Sequence, residues 1–300
     1  MLRLTELKLP LDHTENDLRT AVINRLRIKP EDLARYTVFR RAADARKKPT
    51  IVLIYTLDIE LRDEAAVLKR LSRDRNISPA PDLRYRFVAR APGRFTRPIV
   101  IGTGPCGLFA GLTLAQMGFR PIILERGKVV RERTKDTWGL WRRSQLNPES
   151  NVQFGEGGAG TFSDGKLYSQ IKDPHHRGRK VLSEFVAAGA PSEILYVAKP
   201  HIGTFRLVTI VEEIRATIEA LGGEYRFQSK VIDLDIATQQ DGRRRINGVM
   251  LADGTQVAAI MWCSRSATAP ATHSRCCGIA ASRSKPNPSP SGCASSIPSR

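Results

Sequence analysis

The chain has 300 residues, enough for more than one domain and a sizeable buried core. With 41% hydrophobic residues it is expected to be globular, and its formal charge of +18 raises nucleic acid or another polyanion as a partner. No apolar run approaches the ~18 residues of a membrane-spanning helix. Met1-Leu2-Arg3-Leu4-Thr5-Glu6 lacks the apolar core of a signal peptide, so a cytoplasmic protein with no membrane insertion is expected.

The positive charge is spread out. Its sharpest cluster is Arg40-Arg41 followed by Arg46-Lys47-Lys48, which reads as a solvated basic face before it reads as a polyanion site, and this argues against nucleic acid as a partner. Four of the five cysteines (Cys263, Cys276, Cys277 and Cys293) fall in the last 41 residues. With no Cys-x-x-Cys pair and only His273 beside them, they do not make a zinc framework, and no metal site is expected.

Residues 1–90 read as a small α+β domain. Leu2, Leu4, Leu7 and Leu9 mark an imperfectly alternating strand, and Thr14-Glu15-Asn16-Asp17 starts a helix with Leu18, Ala21, Val22 and Leu26 at helical spacing. Tyr36 to Arg41 and the β-branched stretch Ile51 to Leu61 read as strands. Arg62 to Arg73 reads as a helix with Ala65, Val67, Leu68 and Leu71 inward. Ser78-Pro79-Ala80-Pro81-Asp82 and Ala91-Pro92-Gly93 then punctuate a linker.

Residues 91–259 carry a β-α-β start. Pro98-Ile99-Val100-Ile101 is a short buried strand, Leu108 to Met117 a helix capped by Gly118, and Pro121-Ile122-Ile123-Leu124 a second strand ending at Glu125. Further on, Leu207 to Leu221 is an amphipathic helix followed by Gly222-Gly223, and Val231 to Leu234 and Ile246 to Leu251 are strands. Asp253-Gly254 marks a hairpin turn leading to Gln256-Val257.

After Ala259 the pattern stops. Ten of the last 41 residues are Ser and five are Pro, so residues 260–300 are expected to be a disordered tail. An out-of-frame origin is also expected. Met261 and Trp262 have single codons, and moving the frame back by one base turns Met261 to Cys263 into two Val codons. With GC-rich codons elsewhere, Ile260 to Thr272 becomes Asp-His-Val-Val-Leu-Ala-Val-Gly-His-Ser-Ala-Arg-Asp, an apolar strand continuing Val257-Ala258-Ala259. The coding DNA across codons 255 to 300 tests this.

The chemistry centres on Gly102-Thr103-Gly104-Pro105-Cys106-Gly107. Gly102 permits the tight turn, Gly104 lets backbone approach a pyrophosphate, and Gly107 allows close helix–strand packing. The helix N-terminus offers N–H groups and partial positive charge to phosphates. Glu125, 23 residues after Gly102, is placed to accept hydrogen bonds from ribose hydroxyls and disfavours a 2′-phosphate, which argues against NADP here. This spacing alone does not separate FAD from NAD. A second cluster, Gly155, Gly157, Gly158 and Gly160, favours a wrapped cofactor over a flexible surface loop.

Ile101-Gly-Thr-Gly-Pro-Cys-Gly-Leu-Phe-Ala-Gly111, Leu124-Glu125-Arg126-Gly127, Phe154-Gly-Glu-Gly-Gly-Ala-Gly-Thr161 and Pro200-His201-Ile202-Gly203-Thr204 together resemble the bacterial FAD-dependent dehydrogenases. These are largely uncharacterised NAD(P)/FAD-dependent oxidoreductases with a small N-terminal domain, and the resemblance spans residues 1–259. It implies an α/β fold: a Rossmann-like FAD/NAD(P)-binding domain preceded by the small α+β domain. It implies FAD pyrophosphate on Gly102, Gly104, Pro105, Cys106 and Gly107, adenosine ribose at Glu125 and Arg126, further FAD contacts from Gly157, Gly158 and Gly160, and adenine beside Val231. NAD(P)H as a transient electron donor and an unidentified small-molecule substrate complete the picture. Such proteins are much longer than this chain. The alternatives are therefore a truncated, non-catalytic fragment, or a flavoprotein whose basic N-terminal domain binds nucleic acid. No catalytic residue is assigned.

The remaining candidates have bland readings: Cys106 as a small packing residue, His175-His176-Arg177 as a solvated loop, His201 as either a satisfied structural histidine or a pocket residue, and Trp138 and Trp141 as core or interface.

Overall fold

The structure, a computed structural model, describes residues 1–46, 50–167, 171–258 and the backbone of 262–264. Lys47 and Lys48 of the basic cluster lie outside these residues. So does the tail beyond Ser264, with His273, Cys276, Cys277 and Cys293.

The first 80 residues run β1 (Leu2–Pro10), α1 (Glu15–Leu26), β2 (Leu33–Asp44), β3 (Val52–Leu61), α2 (Glu64–Arg70) and β4 (Ile77–Pro79). The strands form one antiparallel sheet in the order β2-β3-β1-β4, a split β-α-β arrangement. The imperfect alternation of β1 has a cause: its register shifts between Leu4 and Leu7, with Glu6 at φ 58°, so that both leucines reach the core despite their odd spacing. Helix α1 begins with the expected cap. Asp17 N–H donates to Thr14 Oγ1, and Asp17 Oδ2 accepts from Thr14 N–H.

Two expectations change here. Helix α2 is seven residues long, and Ala65, two positions before the buried Val67, lies on the opposite side of the helix. Only Val67 is fully buried, with Leu68 and Leu71 at the edge and Ala65 exposed. The expected linker residues Ser78 and Pro79 belong to β4, an edge strand where proline loses no needed hydrogen bond.

The rest of the chain runs β5 (Ile99–Ile101), α3 (Pro105–Gln116), β6 (Ile122–Leu124), α4 (Val130–Arg143), α5 (Arg177–Ala187), α6 (Thr204–Ala220), β7 (Glu224–Arg226), β8 (Val231–Thr238), β9 (Arg244–Leu251), β10 (Gln256–Ala258) and β11 (Trp262–Ser264). Strands β11, β5, β6 and β7 form a parallel sheet in that order, and β8, β9 and β10 an antiparallel meander. Strands β5 and β6 are therefore covered on both faces, as their continuous apolar runs require. Val100 and Ile123 face the helices, in a cluster with Leu108, Leu112, Ile210, Ile214 and Ile218. Ile99, Ile122 and Leu124 face the meander, against Val231, Val249, Leu251 and Val257.

Strand β11 corrects the reading of everything after Ala259 as disordered. Trp262, Cys263 and Ser264 pair in parallel with Ile99, Val100 and Ile101. Three residues are too few to show periodicity, yet the edge of β5 offers them a full set of backbone partners. No helix among the described residues is long and apolar enough to cross a membrane.

The two parts touch along β2. Arg41 N–H donates to Tyr196 O at 2.7 Å and Ala198 N–H to Arg41 O at 3.0 Å. Phe39 lies beneath Arg3, whose guanidinium carbon is 3.7 Å from the ring centre, and also meets Arg179 of α5. Arg3 in turn forms a buried two-point pair with Asp58 at 2.7 and 2.9 Å.

Candidate dinucleotide-binding site

The order β7-β6-β5-β11 places a switch point beside β5. The next strand in the chain, β6, lies on one side of it and β11 on the other. The Gly102–Gly107 turn leaves the carboxyl end of β5 at this switch.

The turn's glycines do three different things. Gly102 adopts φ 87°, a region in which a side chain is strained, while its N–H donates to Leu124 O at 2.7 Å. Gly107 has no room: a Cβ there would overlap the carbonyl oxygen of Gly102. Gly104, the residue before the first turn of α3, has φ −63° and open space where a Cβ would stand. Its carbonyl accepts from Leu108 N–H at 2.9 Å. Pro105 begins α3 without needing a backbone donor. The first turn thus aims its N–H groups and dipole at an open face.

Glu125 does more than the sequence indicates. It is only 4% exposed, and its carboxylate points back under the turn. Oε2 accepts from Thr103 N–H at 2.8 Å and Thr103 O–H at 2.7 Å, and Oε1 accepts from Gly127 N–H at 2.9 Å. The carboxylate therefore holds the turn in shape, with one lone-pair position on Oε1 left over from these bonds. Arg126, read as a ribose neighbour, is engaged elsewhere. It pairs with Glu149, which also binds Lys230 at 2.8 Å, and it stacks on Phe154 with its guanidinium carbon 4.0 Å from the ring centre. These two cations outweigh burial, which alone would raise Glu149's pKa, and hold it below the ordinary carboxylate value.

The second glycine cluster lies against the first. Gly157 N–H donates to Thr103 O at 2.9 Å. A Cβ on Gly158 would come within 2.9 Å of Gly104 Cα and 3.1 Å of Pro105 Cδ, and one on Gly160 within 3.9 Å of Pro105 Cγ. Gly102, Gly104, Pro105, Gly157, Gly158 and Gly160 are thus brought to one place. The Pro200–Thr204 motif follows onto the same loop, where Ile202 N–H donates to Gly165 O at 3.0 Å and Thr204 Oγ1 to Ser163 O at 2.6 Å. Val231 starts β8 two residues after Ser229, whose N–H donates to Glu125 O at 2.8 Å. Its side chain packs in the apolar cluster beneath the sheet.

Arg133 is the large omission of the sequence reading. It sits on α4 at 0% exposure, and its guanidinium donates to four backbone carbonyls of the loop: Asn151 at 2.8 Å, Glu156 at 2.6 Å, Gly158 at 2.8 Å and Val152 at 2.7 Å. Burial lowers its pKa to about 10, against the opposing pull of Glu125 and Glu156. Glu156, buried in the same loop, accepts from Val130 N–H at 2.7 Å and lies 3.1 Å from Arg215 Nε. Its pKa is raised because burial outweighs these partners. One arginine among so many basic residues gives no sequence signal. Glu156 is the one charged residue of the Phe154–Thr161 motif.

Other candidates are placed differently from their bland readings. Cys106 is exposed on the first turn of α3, because that position faces away from the β5 contact that Gly107 makes. Trp138 and Trp141 are exposed, the latter 58%, with Trp141 edge-on to Phe162 and Arg142 over Trp138. Helix α4 turns Val130, Arg133 and Thr137 inward instead. His201 is exposed, in an isolated bridge with Lys166. His176 caps the start of α5 and lies edge-on to Phe39, while His175 and Arg177 are exposed.

Comparison with known proteins adds sequence relatives. Residues 1–60 match a family described as a domain of unknown function, DUF8436. A Clostridium beijerinckii protein described as uncharacterized is 40% identical over 268 residues, covering 88% of this chain and 49% of that protein. The chain therefore spans about half the length of this relative. Among solved structures, Thermovibrio ammonificans THI4 is similar at 22% identity over 52% of this chain and 47% of its own, with a TM-score of 0.33. A 3-ketosteroid-Δ4-(5α)-dehydrogenase from Rhodococcus jostii is similar at 14% identity over 59% and 45%, with a TM-score of 0.35. Likenesses of that size carry no functional argument.

Proposed function

We propose that this chain supplies the dinucleotide-binding part of an FAD-dependent oxidoreductase. The observation that carries the reading is the pair of glycine loops stacked at the N-terminus of α3, with Glu125 tied beneath them. The residues fit the group. Gly104 keeps an open face where a Cβ would intrude, and Gly158 brings a second stretch of bare backbone beside it. The strand order, counted from β5, is the 3-2-1-4 of doubly wound sheets, which take ligands outside the carboxyl ends at the switch point.

In this reading the N–H groups of the α3 turn hold the pyrophosphate, and Gly157, Gly158 and Gly160 form the facing wall. Glu125 offers its remaining lone pair to a ribose hydroxyl, and its negative charge disfavours a 2′-phosphate there, while Arg126 is held by Glu149. Bound FAD would supply hydride transfer between NAD(P)H and an unidentified small-molecule substrate, while the protein orients it. Titrating the purified chain with FAD, following flavin fluorescence, tests the reading. Saturable binding at one flavin per chain supports it, and no binding at flavin concentrations of about 100 µM, which corresponds to less than roughly 5.5 kcal/mol of affinity, rejects it.

A further inference from the structure

We infer that Arg133 is a positioning residue for the cofactor: it holds the 151–158 loop closed against the Gly102–Gly107 turn. The inference rests on the FAD reading above for its consequence, though not for its geometry.

The loop is also tied at Glu156, whose N–H donates to Lys128 O at 3.2 Å and whose carboxylate meets Val130 N–H and Arg215, but its glycines have no side chains with which to hold it. Gly155, Gly157 and Gly158 have φ values of 116°, 81° and 62°, and glycine has the most conformational freedom to lose on ordering. No side chain of these glycines can pack. Four carbonyls of the segment converge on one guanidinium, whose planar fork reaches in several directions at once. The fit is close, since a Cβ on Gly155 would overlap the Arg133 side chain. Among these hydrogen bonds no carboxylate accepts from Arg133. Its charge is spent on backbone carbonyls, and the helix it sits on is anchored to the same loop by Val130 N–H on Glu156. Among the described residues the backbone bond from loop to turn is Gly157 N–H to Thr103 O, one residue from the Arg133-bound carbonyls of Glu156 and Gly158. Removing the guanidinium leaves four carbonyl acceptors, three of them buried, without their donor, and leaves the loop to the ties made by Gly157 and Glu156.

The experiment compares wild type with Arg133→Lys, Arg133→Ala and Gly158→Ala. Amide hydrogen exchange is read separately over residues 151–160 and over α3 and β6, without FAD. FAD affinity is then measured on the same proteins. For Arg133→Ala we expect exchange over 151–160 to quicken at least about tenfold while β6 stays protected, with FAD affinity falling at least about tenfold. Arg133→Lys should lie between it and wild type, because an ammonium keeps the charge but not the fork. Gly158→Ala pries the same contact from the other side and should weaken FAD with Arg133 intact. Arg133→Lys carries the test if Arg133→Ala does not fold. Unchanged exchange over 151–160 in Arg133→Lys and Arg133→Ala overturns the positioning role, as does unchanged FAD affinity beside quickened exchange. If wild type takes no FAD, the function reading fails, and the exchange data still decide whether Arg133 holds the loop.

Discussion

Replacing Glu125 with Gln removes one charge and changes one atom, at a place where three protein donors converge. The best orientation keeps the amide oxygen towards Thr103, preserving the bonds of 2.8 and 2.7 Å, and turns the NH2 towards Gly127. The Gly127 N–H then faces a donor in a site only 4% exposed. A charge-assisted bond is worth about 1.5–3 kcal/mol, and a stranded buried donor costs about 1–3. Since these overlap, the net destabilisation should be about 2–4 kcal/mol. Urea denaturation of wild type and Glu125→Gln measures it, and Thr103→Val with the double variant closes the cycle. The coupling between Glu125 and Thr103 should be about 1 kcal/mol, because the hydroxyl bond survives in weaker form. A change below about 0.5 kcal/mol in Glu125→Gln, the range of an ordinary surface substitution, would refute the view that the carboxylate holds the turn.

Gly104→Ala and Gly107→Ala should separate binding from folding. The first has open space and an ordinary φ, so it should keep its melting temperature within about 2 °C and lose FAD affinity by about tenfold or more. The second drives a methyl into the Gly102 carbonyl and should cost about 3 kcal/mol or more, read by thermal unfolding. Glu156 sets a pH dependence. Its folded pKa is raised above the ordinary 4.5, so the native state binds the extra proton and stability falls as pH rises from that value to the folded one. Urea midpoints across pH should therefore show wild type losing stability relative to Glu156→Gln over that window, and a difference independent of pH would contradict this. Deleting residues 259–300 removes β11 and leaves the edge of β5 unpaired, so the shortened chain should self-associate in light scattering where the full chain does not.

The apolar skeleton was legible because its spacing is regular. Ile99 to Ile101, Ile122 to Leu124 and the α6 residues Leu207, Ile210, Val211, Ile214 and Ile218 announce their elements directly. Helix α4 was missed because its inward face carries Arg133 and Thr137, so a polar pattern conceals a buried stripe. Strand β7 was missed because Glu-Tyr-Arg shows no alternation, although it completes the parallel sheet. At the site, the turn and Glu125 could be named from spacing alone. What Glu125 bonds to could not, since Thr103 becomes its partner only when β5 and β6 lie side by side.

Because Glu125 and Thr103 tie the turn through bonds within the chain, the phosphate seat proposed above is shaped by the protein's own groups. A ligand docking there orders few backbone torsions, so its affinity is not taxed by loop folding. Calorimetry should accordingly find a heat-capacity change set by the apolar surface the ligand itself covers, without the large added decrement of coupled folding. The association rate should likewise show no slow conformational phase at high ligand concentration.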